Sequence, residues 1–71
     1  MNQYLLIYRF SYLSMDEVLE VLKTSFPDVT LFEGAEAFLV KTPLSQEELV
    51  HWIDQELSYS IKSFSPAKTE A

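Results

Sequence analysis

His51 is the single histidine of a 71-residue chain, and side chains that could share a metal or a proton surround it. Glu47 precedes it by four residues, Asp54 follows by three and Gln55 by four. On a helix these positions share one face. One imidazole and two carboxylates leave a divalent metal without a fourth protein ligand, so His51 reads as a solvated surface histidine and no metal site is expected. With no cysteine, thiolate nucleophiles, disulfides and cysteine-ligated zinc are excluded. No Gly-x-Ser-x-Gly elbow occurs, and the lone Gly34 cannot build a phosphate-cradling loop. Acid–base pairs could be drawn from Asp16, Glu17 and Glu20, or from Glu47 and Glu48. Both groups sit where acids complement the positive end of a helix. The expectation is a protein that is not an enzyme and takes no cofactor.

Those acids belong to a pattern that occurs twice, 31 positions apart. Leu13-Ser14-Met15-Asp16-Glu17-Val18 matches Leu44-Ser45-Gln46-Glu47-Glu48-Leu49. In each copy a serine precedes a glutamate by three residues, the spacing of a capping box, and the flanking apolar pairs have the spacing of a hydrophobic staple. The offset also aligns Val21 with Trp52, Leu22 with Ile53 and Phe26 with Leu57, and lays Tyr4 to Phe10 over Ala35 to Lys41. Two copies of one strand–helix–strand unit follow.

The elements read as a strand over 3–10, a helix over 15–25, strands over 29–33 and 36–41, a helix over 46–57 and a strand over 59–64. Met15, Val18, Leu19, Leu22 and Phe26 mark the buried stripe of the first helix, and Leu49, Trp52, Ile53 and Leu57 that of the second. Pro27 ends the first helix. Gly34-Ala35 suits a two-residue type II′ hairpin turn with positive φ at the glycine. Strand–helix–strand–strand–helix–strand predicts an α+β, ferredoxin-like βαββαβ fold: a four-stranded antiparallel sheet with both helices on one face. Residues 1–64 form one domain, and 65–71 read as a polar, flexible tail.

The strand pattern points to a working surface. Tyr4, Leu6, Tyr8 and Phe10 line one side of the first strand, and Leu5, Ile7 and Arg9 the other; Phe38 and Val40 oppose Ala37 and Leu39 in the third. Both sides are mostly apolar, and monomers rarely leave such a patch bare. A second copy or a protein partner is expected to cover the aromatic set Tyr4, Tyr8, Phe10 and Phe38. A homodimer also suits a chain whose core is marginal by size.

Eleven acids against five bases give a net charge of −6. Nucleic-acid affinity comes largely from cations displacing counterions at phosphates, so neither nucleic acid nor an anionic membrane is expected as a partner. The echo of an RNA-binding strand at 34–40 lacks its leading basic residue and paired aromatics. A basic protein docking on Asp16, Glu17, Glu20, Glu47, Glu48 and Asp54 is the better match. The apolar run at 4–8 is too short for a signal-peptide core, and no segment nears the ~20 apolar residues of a membrane span. A cytoplasmic location is expected.

Gln3-Tyr4-Leu5-Leu6-Ile7-Tyr8, with Ala37-Phe38-Leu39-Val40-Lys41-Thr42-Pro43-Leu44-Ser45-Gln46-Glu47-Glu48-Leu49, resembles small bacterial and phage proteins of the CRISPR-adaptation nuclease superfamily, in particular its SinR-like stand-alone members. The resemblance implies a ferredoxin-like homodimer joined through its sheets. It also implies an aspartate at the end of the first strand in nuclease members, where this chain has Tyr8-Arg9-Phe10 and no acid. Three functional expectations stand: a non-enzymatic interaction module acting as regulator or inhibitor, a divergent nuclease-like dimer, and a structural subunit of a larger assembly.

Overall fold

A computed structural model describes residues 1–67. In chain order the elements are β1 (Asn2–Tyr8), α1 (Met15–Ser25), β2 (Asp28–Phe32), β3 (Ala37–Thr42), α2 (Gln46–Glu56) and β4 (Ile61–Pro66). All strand pairs are antiparallel, the sheet order is β2-β3-β1-β4, and both helices pack on one face. This is the ferredoxin-like α+β arrangement that the doubled strand–helix–strand unit predicts.

Both helices begin with the same hydrogen-bond circuit. The Ser14 and Ser45 hydroxyls accept from the amides of Glu17 and Glu48 at 3.2 Å, and those glutamate carboxylates accept from the serine amides at 2.8 Å. Two residues upstream of each leucine, Ser11 and Thr42 accept from the amides of Leu13 and Leu44. The repeat therefore extends back to Ser11 and Thr42, at the same 31-residue offset. The hydroxyl of Tyr8 donates to the Leu13 carbonyl and that of Tyr4 to the Leu44 carbonyl.

These two hydroxyl bonds explain a correction to the expected docking face. Tyr4, Tyr8 and Phe38 are buried against the helices, in one core with Leu6, Val18, Leu22, Phe26, Val40, Leu49, Ile53 and Leu57. A buried tyrosine is costly unless its hydroxyl finds a partner, and the carbonyl ahead of each cap supplies one. Phe10 lies beyond β1 and is 91% exposed. Tyr4, Tyr8 and Phe38 are thus packed away from solvent rather than presented to a partner.

The hairpin differs too. Glu33–Ala35 form a single 3₁₀ turn, and positive φ falls on Glu36 (φ 51°, ψ 49°) rather than on Gly34. Phe32 pairs with Ala37, which leaves four residues in the loop. A two-residue Gly34-Ala35 turn would set Glu33 directly opposite Glu36, and like charges at that position destabilise a ladder. The longer loop separates them, and Ala37, the first residue of β3, is 1% exposed between Ile7 and Phe32.

The sheet's end is also displaced from expectation. Leu57 to Ser60 form a tight turn closed by Ser60 N–H donating to the Leu57 carbonyl (3.0 Å), so Tyr59 stays exposed and β4 begins at Ile61. The strand continues through Ser65 and Pro66, with Ala67 N–H donating to the Gln3 carbonyl (2.8 Å). Residues 65–67 are therefore tied to the sheet, while 68–71 of the expected tail lie outside the described residues.

Candidate interaction surfaces

The helical layer presents the acids. Asp16, Glu17 and Glu20 on α1 and Glu47, Glu48, Asp54 and Glu56 on α2 are all exposed. They oppose a single helical cation, Lys23. Seven acids and one lysine give the two helices a net charge of −6, which is the charge of the whole chain. The remaining four acids and four cations balance. The molecule is thus electrically polarised, with all of its excess charge on one layer.

These acids do not all have the same freedom. Glu17 and Glu48 are committed to their capping boxes. Asp16, Glu20, Glu47, Asp54 and Glu56 have no cationic partner: among the described residues the one ion pair is Lys41 with Asp28 at 3.7 Å, on the other side of the sheet. A charged group with no local counter-charge is the kind that gains most from an incoming cation.

His51 projects from α2 into solvent and meets the Gln55 amide at 3.3 Å. Glu47 and Asp54, its expected companions, share the helix without contacting it by hydrogen bond. No group of three metal-ligating side chains is brought together among the described residues. At the end of β1, Arg9 N–H bonds the Ser60 carbonyl (2.8 Å) and its side chain is exposed, with no carboxylate beside it in Tyr8-Arg9-Phe10.

The sheet's open face is built from the alternate positions. Leu5 and Ile7 lie opposite Leu39 and Ala37, and Phe32, 44% exposed, continues the row at the β2 edge. Thr30, Ser63, Ser65 and the Lys41–Asp28 pair frame it. The apolar open face expected from the strand pattern is present, but it is built from Leu5, Ile7, Ala37, Leu39 and Phe32 rather than from Tyr4, Tyr8, Phe10 and Phe38. Leu5, Ile7 and Leu39 are only half-exposed because neighbouring side chains in the pleat cover their flanks.

Comparison with protein-family models, with curated proteins and with solved structures gives no match to this chain. Among the described residues, no helix is long and apolar enough to cross a membrane.

Proposed function

We propose that the protein is a non-enzymatic interaction module that docks a basic protein surface on its helical layer, as a regulator or inhibitor of that partner. The observation that supports this reading is the segregation of charge: the two helices carry the chain's entire net charge of −6, and their exposed acids lack cationic partners among the described residues. A surface of one sign steers a partner of the opposite sign and sets its orientation.

Affinity capture from the native host identifies the partner, and calorimetry on the purified pair tests the surface. The discriminating variant carries Asp16→Lys, Glu20→Lys, Glu47→Lys and Asp54→Lys. Glu17 and Glu48 are spared so that the helix starts stay capped. Exposed ion pairs contribute roughly 0.2–1 kcal/mol each, so four reversals should weaken binding by about fourfold to several hundredfold. Raising salt should weaken the wild-type complex in the same direction. Affinity that is unchanged by both would dispose of this surface.

A further inference from the structure

Strand β2 is an edge of the sheet, and hydrogen-bond parity specifies what it offers. Tyr8 N–H donates to the Glu36 carbonyl at 2.8 Å, continuing the register in which Ile7 faces Ala37. Along an antiparallel strand, successive residues direct their N–H and C=O groups to opposite sides. Phe38, Val40 and Thr42 therefore bond to β1, while Ala37, Leu39 and Lys41 bond to β2. Their register partners Phe32, Thr30 and Asp28 use their backbone groups inward. Val29 and Leu31 are left with both N–H and both C=O groups pointing out of the sheet, and no partner for them occurs among the described residues.

The opposite edge is guarded. On β4 the same parity, fixed by Ala67 N–H bonding the Gln3 carbonyl, turns Phe64 and Pro66 outward. Pro66 has no N–H to offer, Lys62 is exposed, and a register shift breaks the strand near Ile61. Proline, lysine and bulges are the devices that keep an edge from pairing. The β2 segment Asp28-Val29-Thr30-Leu31-Phe32 has none of them within it.

We infer that β2 pairs with β2 of a second copy, antiparallel about a two-fold axis at Thr30, to make a continuous eight-stranded sheet. With Thr30 opposite Thr30 of the partner, Val29 falls opposite the other copy's Leu31 at both symmetry-related positions. The groups pointing outward then satisfy one another in four hydrogen bonds. On the open face Asp28 meets Phe32 of the other copy, so no acids are directly opposed, and Asp28 is already partnered by Lys41 in its own chain. On the helical face the half-buried Val29 and Leu31 side chains join across the seam. Because this axis is perpendicular to the sheet, both acidic helical layers lie on the same side. This inference is independent of the basic-partner reading.

Sedimentation equilibrium over micromolar to millimolar protein, with amide hydrogen exchange at matching concentrations, tests it. The Val29 and Leu31 amides should exchange quickly in dilute protein and slow toward the Thr30 rate as dimer forms. Thr30→Lys sets like charges opposite each other at the axis without disturbing the monomer, and should weaken the dimer about two- to fivefold. Val29→Pro removes an outward donor from each copy but no ladder bond to β3, and should weaken it by about tenfold or more. Leu5→Lys, on the open face, should leave it unchanged. Three results would overturn the inference: a monomer at all concentrations, Val29 and Leu31 amides that stay fast in a dimer, or a dimer lost to Leu5→Lys but indifferent to Thr30→Lys.

Discussion

Tyr4 and Tyr8 show how much one hydroxyl can decide. Each ring contributes apolar area to the core, and each oxygen donates to a carbonyl one residue ahead of a helix cap. Replacing either tyrosine by phenylalanine keeps the ring and removes that bond: the Leu13 carbonyl loses its side-chain donor, whereas the Leu44 carbonyl still accepts from the Asn2 side-chain amide at 2.9 Å. We expect Tyr8→Phe to lower unfolding free energy by about 1–2 kcal/mol, and Tyr4→Phe by about 0.5–1 kcal/mol because Asn2 still serves the Leu44 carbonyl, both measured by urea denaturation with an unchanged m-value. A loss of less than a few tenths would mean that water replaces the bond without cost. The same residues mark the limit of what the sequence reveals. Alternation showed that Tyr4, Tyr8 and Phe38 share sheet faces, but period two cannot say which face meets the helices when both are apolar. The deciding signal was the pair of polar partners ahead of Ser14 and Ser45. It was not recoverable, because those partners are the backbone carbonyls of Leu13 and Leu44, which no side-chain pattern marks; Ser11 and Thr42 extend the repeat at the same offset but bond the leucine amides, not the tyrosines.

At the scale of elements, helices were the most legible feature because their start signals are chemical. Ser14 with Glu17, and Ser45 with Glu48, fix both beginnings, and Pro27 limits the end of α1. The hairpin was less legible because glycine permits positive φ without requiring it. Here Gly34 adopts no positive φ, and a Cβ built on it meets nothing within 4 Å. The left-handed position belongs to Glu36, a residue that is strained there. Exchanging the roles should therefore stabilise the loop from both sides. Gly34→Ala should add about 0.4–1 kcal/mol by restricting the unfolded chain, and Glu36→Gly about 1 kcal/mol by relieving the left-handed strain. Thermal unfolding of the double variant should show a rise in Tm of roughly 4–8 °C per kcal/mol gained. A drop in Tm for Gly34→Ala would show that the loop needs the glycine for a reason other than its backbone angles.

At the scale of the whole molecule, charge is distributed in opposition to stability. Seven acids crowd onto two helices over a core only large enough for a small domain, and Lys23 is the single cation among them. Four of those acids, Asp16, Glu17, Glu47 and Glu48, sit in first helical turns, where the macrodipole compensates them. Glu20, Asp54 and Glu56 lie further along and have no such compensation. Self-repulsion within one layer should therefore weaken the fold at low ionic strength, and screening should relieve it. We expect Tm to rise by a few degrees as sodium chloride is raised from about 10 mM to about 150 mM, where the Debye length contracts from about 30 Å to about 8 Å. Glu20→Gln with Asp54→Gln should shrink that rise, because the uncompensated charges are then fewer. Salt therefore acts in two directions: it should strengthen the isolated fold while weakening its hold on a basic partner. A Tm that falls with salt would mean that attractive pairs, rather than uncompensated acids, dominate the helical surface.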